Sequence, residues 1–250
     1  TRGLVSAGMA LKSLDLVAIT HLHSDHVVEL GPLIHTAWTA GLQTLVRVFG
    51  PRGTRRVWTA FLDSMAADIE IRIADEGRPP LASLVEVHEY DEGEVFAEDG
   101  LRIDALTVHH PPMSDCFALK IAHAGRGIVF SGDTAFFPPL ARFAHRADIL
   151  VHEVMLEAGV DRLVARTGNG ERLKQHLFAS HTLAAEAGRI ASEAGVKHLV
   201  LNHLIPADDP EIGEADWIAA VRPTWAGPLT VARDGVAIAI PPAADSASGS

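Results

Sequence analysis

The sequence contains one cysteine, Cys116, so an internal disulfide is excluded and a reducing compartment is favoured. It also lacks an uninterrupted run of about 18 apolar residues, the length that a membrane-spanning helix requires. Residues 1–13 contain no apolar signal-peptide core followed by a small-residue cleavage site. These absences predict a soluble, cytoplasmic protein with no membrane partner.

Positively charged side chains are scarce as well. The 250 residues include 21 Lys and Arg against 32 Asp and Glu, which gives a formal net charge of −11. This balance argues against a broad surface for nucleic-acid phosphates, although a local basic patch can exist within it. The apolar content of 48% is enough for a sizeable core. We expect a single domain over residues 1–240 and a disordered tail over 241–250, which is rich in Pro, Ala and Ser.

The most informative stretch follows the apolar run Leu14–Ile19, which predicts a buried strand. Within a few residues of its end stand three histidines and an aspartate: His21, His23, Asp25 and His26. Loops at the carboxyl ends of strands collect ligand-binding residues in α/β folds. Imidazole nitrogens and carboxylate oxygens are ligands that zinc accepts. The stretch therefore predicts a metal site, and a histidine-rich solvated loop is the alternative.

Three later segments each contain a candidate ligand near a predicted strand. His109 and His110 stand side by side, Asp133 follows the apolar run Ile128–Phe130, and His203 follows the predicted strand Lys197–Leu201. Because a slip of one residue exchanges the two faces of a strand, register alone leaves His109 and His110 both open.

Together these segments resemble the metallo-β-lactamase-fold superfamily, in its HxHxDH signature, third histidine, SGDT aspartate and final strand–histidine segment. The resemblance implies an α/β fold, a four-layer αββα sandwich, around two Zn²⁺ ions. It assigns the first ion to His21, His23 and His110, the second to Asp25, His26 and His203, and the bridging position to Asp133. It favours His110 over His109 because the family ligand is often followed by proline. The ligand types also admit Mn²⁺, Fe²⁺ or Co²⁺.

Two further segments resemble ribonuclease Z and its arylsulfatase- and phosphodiesterase-like relatives. Val151–Met155 is similar to their HEAT loop, although it reads His-Glu-Val-Met here, and Ser180–Thr182 is similar to their HST loop. The resemblance implies that His181 assists proton transfer to the leaving group and that Glu153 orients it. The ordinary alternatives are a residue at a helix N-terminus and a salt-bridge partner.

The function that the resemblance implies is a dinuclear zinc hydrolase that uses a metal-bridging hydroxide on a phosphodiester or related small ester, with Asp25 orienting the hydroxide or accepting its proton. A lactone, thioester or β-lactam hydrolase is the alternative, and a non-catalytic metal-binding scaffold is a third. Members that process transfer RNA carry a long arm between the third histidine and the bridging aspartate. Only a loop and two strands fit between His110 and Asp133, so transfer RNA is disfavoured. A homodimer is compatible with this interpretation.

Several strands precede the histidine cluster in the family, whereas only residues 1–19 precede it here, so N-terminal strands are expected to be missing from this chain. Elsewhere, periodicity predicts strands and helices that suit two sheets between helices. Three of these predictions are tested below: a half-buried strand over Ile69–Ile73, a helix over His181–Ala194 ended by Gly195, and a hairpin over Leu229–Ile240 turning at Asp234-Gly235.

Overall fold

The computed structural model of the chain describes residues 1–168 and 170–240, and the predicted tail over 241–250 lies outside the described residues. The chain divides into two compact units. The amino-terminal unit comprises residues 1–91 and 234–236, and the carboxy-terminal unit comprises 92–233 and the residues from Ala237 onward. Each unit combines a sheet with helices, so the predicted α/β class is confirmed. The single domain over residues 1–240 stays a prediction.

The amino-terminal unit is built on a parallel three-stranded sheet within the described residues, in the order β1-β2-β3. Its core side chains, among them Ile34, Trp38 and Val48, are almost fully buried. The predicted first strand is present but shorter than Leu14–Ile19. The elements are β1 (Leu16–Ala18), β2 (Val46–Gly50), β3 (Val85–Glu89), α1 (Arg2–Ser6), α2 (Ser24–Val27), α3 (Leu30–Thr39), α4 (Thr54–Ser64) and α5 (Ala66–Glu76).

The strand predicted over Ile69–Ile73 is wrong, because these residues belong to α5. Alternating isoleucines satisfy a strand pattern, but residues four apart also share one face of a helix. Ile69 is buried, whereas Ile71 is 66% exposed. Arg72 forms ion pairs one helical turn away on each side, at 2.9 Å to both Asp68 and Glu76. These charge pairs favour the helix.

The carboxy-terminal unit contains, in its described residues, a seven-stranded sheet in the order β10-β9-β8-β7-β6-β5-β4. Neighbours from β4 to β7 are antiparallel and those from β7 to β10 are parallel. The carboxyl ends of strands β5, β7, β8 and β9 therefore all lie along one edge of the sheet, the edge that is formed by strand ends. The elements are β4 (Gly93–Glu98), β5 (Leu101–Thr107), β6 (Phe117–His123), β7 (Arg126–Phe130), β8 (Ile149–Met155), β9 (Leu199–Ile205), β10 (Leu229–Val231), α6 (Pro139–Phe143), α7 (Glu157–Thr167), α8 (Gly170–Ser180), α9 (Ala184–Ala194) and α10 (Glu214–Val221).

Two predictions for this part of the sequence need correction. The hairpin over Leu229–Ile240 is wrong: β10 pairs in parallel with β9, and within the described residues no strand follows the turn at Asp234-Gly235. The edge of buried β9 offers β10 a partner, whereas Val236 is 51% exposed and gains no burial from pairing. Helix α9 begins at Ala184, so His181 precedes it, but the helix does end at Gly195 in the left-handed conformation. No helix in the described part of the chain is both long and apolar enough to cross a membrane.

Helix α9 packs closely against the end of α10 through Gly188. A β-carbon at this position would lie 2.3 Å from Thr224 Oγ1 and 3.0 Å from the carbonyl oxygen of Val221. We therefore expect Gly188→Val to lower the free energy of unfolding by about 1–3 kcal/mol through overpacking. Urea denaturation measures the change, with Ala185→Val, at an exposed position of the same helix, as the control for β-branching. Equal losses in both variants would contradict the packing explanation.

Candidate metal centre

In the amino-terminal unit, four potential ligands follow β1 directly. His21 is fully buried, and its Nε2 lies 3.2 Å from Nδ1 of His23. The next two ligands stand on the single turn α2, where Nε2 of His26 lies 3.1 Å from Oδ2 of Asp25. The ring centroids of His21 and His26 are 4.0 Å apart. This unit thus gathers nitrogen and oxygen donors as two adjacent pairs.

In the carboxy-terminal unit, the predicted ligands gather around Asp133 at the edge where β5, β7, β8 and β9 end. Its Oδ2 lies 3.3 Å from Nε2 of His203 and 3.9 Å from Nε2 of His110. Asp133 is 2% exposed. Gly132 before it has a φ of 60°, a conformation that glycine adopts without strain and that turns the chain as it leaves β7. The sequence therefore places a carboxylate between two histidines of this unit.

A bulge in the sheet orients His203. Strand β8 pairs Glu153 with Asn202 and then Val154 with Leu204, so His203 is an extra residue in β9. Its φ of 44° lies in the left-handed region, which a histidine adopts only where the surrounding structure holds it. Bulges of this kind redirect a side chain next to functional sites.

His110 and His109 have different environments. His110 is 1% exposed and donates from Nδ1 to the carbonyl of Ser180 at 2.8 Å, which leaves Nε2 as the acceptor facing Asp133. A backbone carbonyl commonly fixes a ligating histidine in this way. His109 is exposed, and its carbonyl accepts the N–H of Ala135. The geometry therefore favours His110 as the ligand of the two.

Glu153 and His181 form a buried pair beside these residues. Nδ1 of His181 lies 3.2 Å from Oε1 of Glu153, and the same oxygen accepts the backbone N–H groups of Thr134 at 2.9 Å and Thr182 at 3.3 Å. Burial, with the nearby charge of Asp133, holds the pKa of the Glu153 carboxyl well above its usual value, although the N–H of Thr134 opposes the shift. His181 lies in the turn between α8 and α9 rather than in a helix.

The donors of the carboxy-terminal unit fit a divalent cation. Ligand atoms of Glu153, His181 and His203 lie within 4.8 Å of one another. Within the described part of the chain, Oε2 of Glu153 is buried and has no hydrogen-bond partner. Buried carboxylate oxygens are usually paired or bound to metal. The all-nitrogen and oxygen donor set suits zinc and also Mn²⁺, Fe²⁺ or Co²⁺.

Several residues that organise this edge carry no signal in the sequence. The carbonyl of Ser180 and the N–H groups of Thr134 and Thr182 are backbone atoms, which any residue type offers. The hydroxyl of Ser131 accepts the N–H of Glu153 at 3.0 Å, and only its place in the SGDT-like segment points to it. His152 is buried and donates from Nδ1 to the carbonyl of Glu153 at 2.6 Å. Burial lowers the pKa of His152 to about 4, so its ring is neutral at pH 7.

Comparisons with known proteins agree with this geometry. The family model described as anti-Pycsar protein Apyc1 matches residues 1–168. A ribonuclease Z of Mycobacterium bovis (strain BCG / Pasteur 1173P2) is 32% identical over 232 residues, which cover 92% of this chain and 80% of the relative. A putative ribonuclease Z of Mycobacterium tuberculosis (strain CDC 1551 / Oshkosh) is 32% identical over 219 residues, 86% of this chain and 95% of the relative.

Two solved structures establish the fold. The human tRNase Z, short form, has a TM-score of 0.63 at 20% identity and covers 95% of this chain and 83% of its own. The metallo-β-lactamase fold protein YhfI from Bacillus subtilis has a TM-score of 0.61 at 21% identity, and the match covers 90% of this chain and 78% of YhfI. The metallo-β-lactamase fold predicted from the sequence is confirmed.

Proposed function

We propose that this chain hydrolyses a phosphodiester or a related small ester with two zinc ions. The chain belongs to the ribonuclease Z branch of the metal-dependent hydrolases with the metallo-β-lactamase fold, and to the anti-Pycsar protein Apyc1 family. The observation that carries the proposal is the edge of the seven-stranded sheet where His110 and His203 flank Asp133 beside the Glu153–His181 pair.

Both ligand sets take part in the proposed centre. The ligand assignment follows the family resemblance: His21, His23 and His110 for one ion, Asp25, His26 and His203 for the other, and Asp133 for both. The distances between donors within each unit support this assignment. Divalent ions bound there would lower the pKa of a water towards about 7 and stabilise the negative charge that develops on the substrate oxygen.

The chain's own residues would handle the protons. Asp25 accepts the proton of the attacking water, whose oxygen forms the new bond to phosphorus. His181 delivers a proton from Nε2 to the leaving-group oxygen as the scissile bond breaks. Its Nδ1–H donates to Oε1 of Glu153, which fixes the orientation of the ring. The ring lies 5.1 Å from that of His110 and 5.6 Å from that of His203, so the proposed acid is adjacent to proposed ligands.

A transfer-RNA precursor is the second candidate substrate, because the relatives at 32% identity are named ribonuclease Z. Against it stands the short connection between His110 and Asp133, which consists of a loop and the hairpin of β6 and β7. This connection contains no long arm of the kind that members processing transfer RNA carry at this place. A phosphodiester of low molecular weight is therefore the first choice, and a lactone, thioester or β-lactam comes after it.

A substrate panel tests the proposal. We expect the zinc-loaded protein to cleave a chromogenic phosphodiester faster than a homoserine lactone, a cephalosporin or a transfer-RNA precursor. Chelation is expected to abolish this turnover, and added Zn²⁺ or Mn²⁺ to restore it, because the metal ions would activate the attacking water. Preferred cleavage of the RNA or of an acyl substrate would replace the phosphodiester assignment. Stoichiometric zinc without turnover on any substrate would support the non-catalytic scaffold instead.

A further inference from the structure

One pocket of the carboxy-terminal unit is rich in cationic side chains. The pocket has a volume of about 380 Å³. Five cationic side chains line it, together with His123 and His145: Arg102, Lys120, Arg126, Arg146 and Lys197. Among the described lining residues, Asp148 is the one carboxylate. This local excess of positive charge contrasts with the net charge of −11 for the whole chain.

The pocket lies at the sheet edge opposite to Asp133. Its residues come from the turn between β6 and β7 and from the segments that lead into β8 and β9. The candidate ligands follow the other ends of these strands. A strand of seven residues such as β8 spans roughly 20 Å, so one ligand of ordinary size cannot reach both edges. The pocket is therefore distinct from the candidate metal centre of this unit.

The acidic side chains nearby do not account for all these cations. The carboxylate of Asp148 accepts hydrogen bonds from Lys197 Nζ at 2.7 Å and from the N–H of Gly127 at 2.8 Å. Both donors belong to residues that line the pocket. Arg102 pairs with Asp104 at 2.6 Å and with Glu94 at 2.5 Å. In contrast, Lys120 Nζ donates to the carbonyl of Phe143 at 3.4 Å, which carries no formal charge.

Arg146 is the most informative of the five. Its φ of 54° lies in the left-handed region, where glycine or asparagine would be the unstrained choice. Its backbone N–H donates to the carbonyl of Ala194 at 2.9 Å, and its side chain is exposed. The exposed guanidinium of Arg146 lines the pocket, where it is available to an anion.

We propose that this basic pocket binds a phosphate-type oxyanion at a site separate from the metal ligands. Guanidinium groups match the geometry of such an anion with paired N–H donors, and lysine adds a point charge. An adjoining cleft of about 610 Å³ shares Lys120 and is lined by Leu106, Pro139 and Phe143. This cleft offers space for the organic part of a phosphate ester, so the anion can be free or carried on a larger molecule.

Calorimetric titration of the zinc-loaded, full-length protein tests this site with inorganic phosphate and with phenyl phosphate as probes. Arg146→Asn removes the charge and keeps a residue that tolerates the left-handed backbone. We expect this variant and Arg126→Gln to bind phosphate at least roughly tenfold more weakly than the parent. Arg233→Asn, whose arginine is 70% exposed and pairs with Glu214, is the matched control and should bind like the parent.

The outcomes separate the sites. Tighter binding of phenyl phosphate would identify an ester as the ligand, and equal binding would identify free phosphate. Absence of binding at millimolar phosphate, or equal affinity in Arg146→Asn and the parent, would overturn the proposal. Binding that disappears on chelation but is indifferent to Arg146→Asn would belong to the metal ions and would overturn it as well. Turnover is expected to be unchanged in Arg146→Asn, so failure here is distinguishable from failure of the proposed hydrolase activity.

Discussion

Asp133→Ala is expected to abolish turnover and metal loading together. The carboxylate lies within 4 Å of two imidazole nitrogens, and its removal would leave no oxygen donor between them. Because metal binding contributes several kcal/mol of transition-state stabilisation, the rate on the chromogenic phosphodiester should fall by roughly 10³-fold or more. His23→Ala, in the other ligand set, should produce the same double loss. Elemental analysis and initial rates on the same samples measure both effects.

The matched control for Asp133→Ala is Asp161→Ala on α7. Asp161 has a side chain that is 79% exposed and pairs with Lys174 at the surface. The control should keep its metal and its rate, because exposed pairs of this kind contribute little. Full zinc content in Asp133→Ala with the fold intact would remove Asp133 from the ligand set. Loss of the folded state, detected by circular dichroism, would direct the test to His23→Ala alone.

His181→Ala is expected to lower kcat by roughly 10²–10⁴-fold and to retain the metal, as befits a proton donor. The size of the defect should depend on the leaving group. A nitrophenolate departs readily without protonation, so the variant should be impaired less on that substrate than on an alkyl phosphodiester. Glu153→Gln should reduce the rate in the same direction, because Oε1 of Glu153 contacts Nδ1 of His181. His88→Ala, at a side chain that is 48% exposed, is the control.

Metal analysis decides between two roles for His181. Ligand atoms of His181, Glu153 and His203 lie within 4.8 Å of one another, close enough for the three side chains to hold a cation. Loss of zinc in His181→Ala would identify it as a ligand and would remove it from proton transfer. An equal defect on both leaving groups, with metal retained, would also contradict the assignment of a general acid.

The candidate ligands could be recognised in the sequence because their chemistry is local. His21, His23, Asp25 and His26 are close in the chain, and Asp133 stands in a segment that follows a buried strand. Parallel strands bring their carboxyl ends to one edge, so a ligand after each strand is predictable without coordinates. For His181 and Glu153, only the family resemblance predicts that they act together. In the structure, Nδ1 of His181 lies 3.2 Å from Oε1 of Glu153.

Other features of the fold depend on contacts that cannot be predicted from a single sequence. The spacing of the isoleucines in α5 fits both a strand and a helix. The ion pairs of Arg72 with Asp68 and Glu76 favour the helix, but they are visible only in the structure. Strand β4 gives a weak signal in the sequence, because four of its six residues are exposed and it is the outermost strand on one side of the sheet. The bulge that turns His203 arises from the register of β9 against β8, which is a property of the pair of strands.

The carboxylate of Glu153 ties together two backbone segments through a single oxygen, which accepts N–H groups next to Asp133 and next to His181. A displacement of one segment is thereby transmitted to the other. Substitutions at Asp133 and His181 are accordingly expected to show thermodynamic coupling, with a combined effect that departs from the sum of the separate ones.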